Sequence, residues 1–312
     1  MILHLVKGIV LAFLTGLGAA GNIVVFVSHI LMFGGMEKKA IHLILIHLAF
    51  TNIIMLLSKG VPRTITAFGM RNFLDDIGCK MVCYLERVAR GLSVCTSSLL
   101  TVVQAISMSP RHSRWRRLQP RSAWLILPLF PFLWIFSFST NVNLPLYITS
   151  ASVNTSQISK SDYYCYFQPE SQKVRWIILS SMVFWDAVSQ CITCGASAYI
   201  VFLLHKHHRR VLRLQRSKFL YKTPPEIKAA QSVLLLMLCF LFFYWADCVF
   251  SLLVNCFLEN NPILNIREFL TLGYAILSPL VLIHRDGHAV DCWSTQWERG
   301  TFRKYLFILF FQ

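Results

Sequence analysis

The stretch GIVLAFLTGLGAAGNIVVFVSHILMF, residues 8–33, decides the fold because it contains no Asp, Glu, Lys or Arg. With a rise of about 1.5 Å per residue, an α-helix of this length crosses the roughly 30 Å hydrocarbon core of a bilayer. Lipid offers no partners to backbone N–H and C=O groups, so the run must be helical. The run is too long for a signal peptide and no small-residue cleavage site follows it, which favours a signal-anchor helix.

Six further apolar runs follow, so the sequence predicts an all-α membrane protein, a seven-transmembrane helix bundle. The last run spans a bilayer only if Arg267 and Glu268 reach into the headgroup layer. We expect residues 1–284 to form one membrane domain and residues 285–312 to form a short cytoplasmic tail. The predicted spans are residues 8–33, 40–60, 79–107, 123–146, 176–204, 229–257 and 263–283.

The composition agrees with a membrane protein. Of the 312 residues, 55% are hydrophobic and 14% are charged, whereas charged residues make up about 25% of a typical soluble domain. This chain therefore cannot supply the charged surface that a water-soluble domain of its size needs. The same numbers exclude a disordered or collagen-like chain.

The basic residues predict the orientation of the bundle. The connections after spans one, three and five, together with the tail, contain 19 of the 30 Lys and Arg residues, and the opposite connections contain nine. Basic connections stay in the cytoplasm, so we expect the N-terminus outside. The inner surface of the membrane, with its anionic lipid, is the expected partner of this charge. The net charge of +16 therefore does not indicate binding to nucleic acid.

Two features mark the side that this orientation assigns to the outside. Asn154 begins the glycosylation sequon Asn-Thr-Ser in the connection between spans four and five. Cys79, at the outer end of span three, and Cys165, in the same outer connection, face the oxidising side. A disulfide between them is expected to tether the connection over the bundle. Cys83 lies one turn deeper and is the less favoured partner.

Ionisable residues within the spans are the candidate functional residues, because a charge at mid-membrane costs roughly 2.5–3.5 kcal/mol on insertion scales. Glu86 and Arg90 lie four residues apart on one helix face. They could contact a ligand, or they could form an internal ion pair that fixes helix packing. Arg90 would favour an anionic group, because guanidinium binds carboxylate or sulfate through two parallel hydrogen bonds. The candidate ligand-binding set is Glu86, Arg87, Arg90, Asp186, Tyr244, Trp245, Asp247 and Tyr274.

Several short motifs resemble those of rhodopsin-like receptors. Gly21-Asn22 in span one and Leu48-Ala49 with Asn52 in span two resemble their motifs, although Asn52 stands where an Asp is expected. The Asp-Arg-Tyr motif is absent near Gln104, no Pro lies beside Trp245, and no Tyr follows Ser278-Pro279 at the usual distance. These departures resemble the vomeronasal type 1 pheromone receptors. The matching segments are Arg87–Gly91, Gln104–Ile106, Ser109–Arg111, Phe243–Asp247, Ser278-Pro279 and His284–Asp286, and the similarity runs from about Gly16 to Asp286.

The resemblance implies a G-protein-coupled chemosensory receptor, a multi-pass protein of the plasma membrane. It implies a small, pheromone-like organic ligand in the outer half of the bundle and a heterotrimeric G protein of the inhibitory class. The region of Tyr244 and Trp245 would move on activation. Asn22, Asn52 and Ser278 would form an internal polar network, without bound sodium because Asn52 replaces the acid. The candidate G-protein contacts are Gln104, Arg111, Arg209 and Arg210.

Three alternative classes of protein would each require sequence features that differ from those of this chain. A bitter-taste-type receptor would have Ser-Arg where this chain has Thr51-Asn52. A small-solute transporter or channel subunit would have matched Gly or Pro breaks in its spans, and Gly91 is isolated in span three. An enzyme would need a motif such as His-Glu-x-x-His, Gly-x-Ser-x-Gly or a Gly-rich phosphate loop. We therefore expect neither catalysis nor a cofactor or metal ion.

Overall fold

The computed structural model describes residues 2–34, 40–70, 73–109, 125–150, 165–167, 172–214, 234–235, 237–246, 249 and 261–285. Each predicted span overlaps one helix in this part of the chain. Five helical segments are long and apolar enough to cross a bilayer, and α6 and α7 contain shorter apolar stretches. The fourth of the five is Leu129–Tyr147, which includes α4 and a following 3₁₀ turn, Leu144–Tyr147. The helices are α1 (Ile2–Gly34), α2 (Ala40–Ala67), α3 (Asp76–Met108), α4 (Leu129–Thr140), α5 (Gln172–Leu214), α6 (Met237–Ala246) and α7 (Asn261–Arg285).

The helix boundaries differ from the predicted spans in α4 and α5. Residues 123 and 124 lie outside the described part of the chain, and α4 begins at Leu129, after Pro128 at its N-cap position. Proline has no N–H and its ring clashes with a preceding helical turn, so it starts a helix more readily than it continues one. Helix α5 runs on to Leu214, ten residues beyond the predicted span, through a segment rich in Leu, Lys and Arg, which are strong helix formers.

Helix α2 changes its winding near its outer end. It is α-helical to Met55, π-helical from Leu56 to Gly60 and α-helical again from Val61 to Ala67. Pro62 cannot donate a hydrogen bond back to the carbonyl of Ser58, so the regular ladder is interrupted there. The wider turn contains Lys59. It also brings Gly60 so close to Thr15 of α1 that a Cβ at Gly60 would lie 2.6 Å from that side chain.

A two-stranded hairpin lies at the outer end of α3. Strands β1 (Ile148–Ser150) and β2 (Cys165–Phe167) pair antiparallel, with Ser150 opposite Cys165. A disulfide joins Cys79 to Cys165, with 5.8 Å between their Cα atoms, and Cys83 is a free thiol. The structure thus joins the same two cysteines that the sequence analysis pairs. Asn154 lies outside the described residues.

The buried side chains form two main apolar clusters along the bundle. One is nearer the cytoplasm and contains Ile44, Leu48, Leu100 and Met237; the other is nearer the outside and contains Leu56, Ala89 and Leu272. Many large apolar side chains point away from the bundle, such as Phe13 and Ile135, which are 67% and 68% exposed. An apolar exterior of this kind suits a protein whose outer solvent is lipid.

Candidate functional site

The outer half of the bundle contains an ion pair between α2 and α3. Lys59 Nζ lies 2.6 Å from Glu86 Oε1, and the two side chains are only 12% and 20% exposed. Sequence analysis singled out Glu86 and missed Lys59 as its partner. The available signal was a lysine within an otherwise apolar run, three residues before a proline. The pair supports a packing role for Glu86.

A second pair joins α3 to α5. Arg87 Nη2 lies 4.0 Å from Asp186 Oδ2, at the long limit for an ion pair, and both side chains are partly buried. The structure places Asp186, one of the candidate ligand-binding residues, opposite Arg87. Asp247, another candidate, lies outside the described residues. We refer to Lys59, Glu86, Arg87, Arg90 and Asp186 as the charged cluster.

Arg90 lies about one helical turn from Glu86 and Arg87 on α3. Its guanidinium carbon is 5.8 Å from the centroid of the Tyr244 ring on α6, a cation–π distance. Arg90 also lines two clefts. The lateral cleft lies between α3, α4 and α5 and is lined by Arg87, Arg90, Gly91, Cys95, Phe136, Ser137, Thr140, Asn141, Trp185, Asp186 and Ser189. The central cleft is lined by Met55, Arg90, Ser93, Val94, Phe240, Phe243, Tyr244, Leu270, Thr271 and Tyr274.

The aromatic candidates divide between the inside and the outside of the bundle. Tyr244 and Tyr274 are buried and line the central cleft, and the Tyr274 hydroxyl lies 2.8 Å from Ser97 Oγ. Trp245 is 61% exposed and lines neither cleft. Consecutive residues of an α-helix differ by about 100° in direction, so with Tyr244 buried its neighbour Trp245 points outward. The structure does not bring Trp245 together with the other candidates.

A polar network links α1, α2, α3 and α7 in the buried middle of the bundle. Asn52 donates from Nδ2 to Asn22 Oδ1 at 3.3 Å and to Ser278 Oγ at 3.1 Å. Ser93 donates to Asn52 Oδ1 at 2.8 Å. Asn22 in turn donates to the carbonyls of Gly18 and Ala275, both at 2.8 Å. The three residues predicted to share a network therefore do so, and Ser93 is the member that sequence analysis missed.

The amide N–H groups of this network all have acceptors. Both Nδ2 hydrogens of Asn52 and both Nδ2 hydrogens of Asn22 are used, and each Oδ1 accepts from a neighbour. An Asn amide has two donor hydrogens and one carbonyl oxygen with two lone pairs. The arrangement links four helices through hydrogen bonds between neutral groups.

A second buried network joins α2, α3 and α4 around His47. Trp134 Nε1 donates to His47 Nε2 at 3.0 Å, so Nε2 carries no hydrogen. The hydroxyl of Thr96 donates to the Leu92 carbonyl and therefore accepts from His47 Nδ1, at 2.9 Å. The imidazole is thus neutral, with its hydrogen on Nδ1, and it stacks on Phe130 at 4.3 Å. Sequence analysis did not single out His47.

Three of the four candidate G-protein contacts, Gln104, Arg209 and Arg210, lie in described helices. Gln104 on α3 is buried, 4% exposed, so in this conformation it is not on the cytoplasmic surface. Arg209 is exposed near the end of α5, and Arg210 follows it on the same helix. Arg111 lies outside the described residues. Within the described part of the chain, no group of three or more His, Cys, Asp or Glu side chains could hold a metal ion.

Comparisons with known proteins point to one receptor family. A family model described as "Vomeronasal organ pheromone receptor family" matches residues 6–295. Vomeronasal type-1 receptor 4 of Homo sapiens is 31% identical over 275 residues, which are 87% of this chain and 91% of that protein. Vomeronasal type-1 receptor 3 of Homo sapiens is 33% identical over 253 residues, 78% of each chain. Olfactory receptor class A-like protein 1 of Danio rerio is 30% identical over 284 residues, 89% of this chain and 88% of that protein.

A solved structure supports the seven-helix fold. Squid rhodopsin superimposes with a TM-score of 0.74 over 95% of this chain and 86% of its own, at 15% sequence identity. The predicted all-α, seven-helix bundle is therefore confirmed.

Proposed function

The chain belongs to the vomeronasal type 1 family of G-protein-coupled pheromone receptors, and from this membership we propose that it binds a small organic ligand in the outer half of its helix bundle. Family membership sets aside the enzyme, transporter and bitter-taste alternatives. The observation that carries the proposal is the position of Arg90. This one side chain lines both the lateral and the central cleft and faces the ring of Tyr244.

The lining of the clefts favours a largely apolar ligand with a few polar groups. Ligand sites are mostly apolar, with a small number of polar groups that fix the orientation of the ligand. Phe136 and Trp185 supply aromatic surface to the lateral cleft, and Phe240 and Tyr244 supply it to the central cleft. The guanidinium of Arg90 can donate two parallel hydrogen bonds to an oxygen-bearing group, and an acidic one would bind best.

Signalling through a heterotrimeric G protein of the inhibitory class follows as the second part of the proposal. The cytoplasmic connections contain most of the basic residues, and Arg209 is exposed at the inner end of α5. We expect Arg209, Arg210, Arg111 and Gln104 to contact the G protein once the inner ends of the helices separate. The plasma membrane is the expected location, because an external ligand and an internal G protein must both reach the receptor.

A cell assay tests the proposed function. Cells that express the full chain with a promiscuous G protein are screened by calcium imaging against volatile and steroid-like compounds, including carboxylic acids and sulfates. We expect concentration-dependent responses that Arg90→Ala weakens at least tenfold for acidic compounds. Lys80→Ala is the matched control, because Lys80 is a cation on the same helix that pairs with Asp76 at the bundle surface. An unchanged concentration dependence for acidic agonists in Arg90→Ala would refute the ligand site.

A separate arm tests the G-protein class. Adenylyl cyclase activity should fall when an agonist from the screen is added to cells that contain only their own G proteins. A rise in cyclic AMP, or no change alongside an intact calcium response, would contradict coupling to the inhibitory class.

A further inference from the structure

The lateral cleft has an unusual position, between α3, α4 and α5. Its inner wall is formed by α3, and Gly91 lets α4 come close there, since a Cβ at Gly91 would lie 3.1 Å from Ser137 Oγ. Ser137 of α4 and Ser189 of α5 line its two sides, and the Arg87–Asp186 pair crosses it. The cleft therefore combines small polar groups and an ion pair with aromatic surface from Phe136 and Trp185.

Opposite α3, the lateral cleft is bounded by side chains of α4 and α5 in the described part of the chain. Among the described residues, α5 packs along α3 and makes no comparable contact with α4. Phe136 of α4 and Trp185 of α5 meet edge to face, with ring centroids 4.8 Å apart and an interplanar angle of 89°. Trp185 is 40% exposed, and its neighbours Phe184 and Val188 are 59% and 37% exposed. Two aromatic rings thus separate the cleft from the bilayer.

Other parts of the protein pack around the outer end of α3, the end nearer the water. Cys79, Leu144 and Ile148 are buried together at the outer end of α3, with Leu74 packed against them. The Cys79–Cys165 disulfide holds the hairpin on this apolar cluster. Among the described residues, a route from water along the outer end of α3 meets this packed and cross-linked cluster, whereas the route between α4 and α5 meets the rings of Phe136 and Trp185.

We propose that a lipophilic ligand enters the lateral cleft from the bilayer, between α4 and α5, past Phe136 and Trp185. The inference rests on the proposed function and adds to it a class of ligand and a route of entry. The ligand has an apolar body and one oxygen-bearing end, such as a hydroxyl or carbonyl. That end accepts a hydrogen bond from Arg87, whose 4.0 Å separation from Asp186 leaves a weak pair that a ligand can displace.

The depth of the charged cluster fits such a ligand. Arg87 lies eleven residues after Asp76 at the start of α3, which is about 16 Å along the helix. This places the ion pair within a hydrocarbon core of roughly 30 Å. A molecule dissolved in the outer leaflet therefore already occupies the depth at which the cleft opens.

Photolabelling in lipid tests this inference without a known agonist. The purified full chain is placed in lipid nanodiscs preloaded with a long-chain alcohol that contains a photoreactive diazirine, irradiated, and mapped by mass spectrometry. The matched probe is the diazirine alkane of the same chain length, which has no hydroxyl. We expect the alcohol to label the segments that contain Phe136, Trp185 and Ser189 several-fold more than the alkane does. Equal labelling by both probes would mean that the cleft holds only bilayer hydrocarbon, and would overturn the inference.

Two variants locate the labelled site. Ser189→Phe places a ring inside the lateral cleft and should reduce labelling by the alcohol several-fold. Ile192→Phe adds a ring on the lipid-facing side of the same helix, where Ile192 is 51% exposed, and should leave labelling unchanged. Equal labelling of both variants would also overturn the inference. If cells respond to agonists but the cleft is not labelled, the proposal of entry from the bilayer is refuted and the proposed receptor function is retained. Labelling of the cleft without any agonist response in cells would refute the proposed function instead.

Discussion

At the scale of single residues, Asn52 links α2 to three other helices through hydrogen bonds that a substitution can test. It makes three hydrogen bonds, to Asn22, Ser278 and Ser93. Hydrogen bonds between membrane helices contribute about 0.6 kcal/mol each on average, with maxima near 1.7. The buried partners would lose their hydrogen bonds together, which adds a cost for unsatisfied polar groups.

Asn52→Leu is therefore expected to lower the free energy of unfolding by about 2 kcal/mol. In a thermal unfolding measurement on the purified protein in detergent, this corresponds to a fall in Tm of several degrees. Ser180→Ala is the control, because Ser180 is exposed and bonds only to a carbonyl of its own helix, that of Ile177. A Tm for Asn52→Leu equal to that of the control would contradict the structural role of the network.

The Lys59–Glu86 pair gives a second prediction at this scale. Removing one partner of a buried pair leaves an uncompensated charge and costs about 3–5 kcal/mol, whereas replacing both by apolar residues is often neutral. Lys59→Met alone should therefore lower Tm strongly, and the double variant Lys59→Met, Glu86→Met should recover most of the loss. Lys80→Met breaks the exposed Lys80–Asp76 pair and should change stability by less than about 1 kcal/mol. Failure of the double variant to recover stability would argue against the pairing.

The sequence predicted some of these residues as functional candidates but did not predict all of their partners. The composition of the spans was enough to identify Glu86 and Asp186 as special, because any charge in a lipid-facing or buried helix needs compensation. The partner Lys59 was missed because pairing across helices depends on rotation and on the π-helical turn of α2, and neither is encoded in spacing along one helix. Asn22, Asn52 and Ser278 were grouped correctly only through their resemblance to known receptors.

At the scale of helices, close approach depends on small residues. Gly273 of α7 lies under the ring of Phe243 on α6, and a Cβ at this position would overlap the ring. Gly21 of α1 similarly lies against Pro279 of α7, where a Cβ would be 3.0 Å from a ring carbon. Small residues at helix interfaces allow the backbones to come close and so increase packing in a membrane.

Gly273→Ala should force α6 and α7 apart or displace Phe243, at a cost of about 1–3 kcal/mol. Thermal unfolding measures the loss, and Phe243→Leu in the same chain should restore part of it by removing the overlapping ring atoms. Gly195→Ala on α5 is the matched control, because no atom lies within 4 Å of the added Cβ; it should be neutral or slightly stabilising. If Gly273→Ala matched this control, the close packing of α6 on α7 would be wrong.

The helix boundaries show what hydropathy can predict. A run of apolar residues gives the existence and order of the spans, because the thickness of the bilayer fixes a minimum length. It does not show that α4 starts at Leu129 behind a proline or that α5 continues to Leu214. These ends depend on local backbone chemistry and on helix propensity outside the lipid. The outward direction of Trp245 was missed for a related reason, since α6 is apolar on every side.

At the scale of the whole molecule, one polar network lies between the two outer clefts and the cytoplasmic ends of the helices. The charged cluster and the two clefts lie in the outer half of the bundle, and the Asn52 network lies below them between four helices. Ser93 of that network also lines the central cleft. A ligand that moves α3 would therefore disturb the hydrogen bonds that link it, through Asn52, to three other helices. In this way a conformational change at the outer clefts could reach the cytoplasmic ends of the helices.

Nucleotide exchange by the purified receptor tests the central claim most directly. The full chain in lipid nanodiscs is mixed with a purified inhibitory-class G protein, and exchange is measured with and without the most potent acidic agonist from the cell screen. The account predicts that the agonist accelerates exchange several-fold, that Arg90→Ala abolishes the acceleration and that Lys80→Ala retains it. A folded receptor that gives no acceleration, or an Arg90→Ala variant as responsive as the unmodified chain, would contradict it.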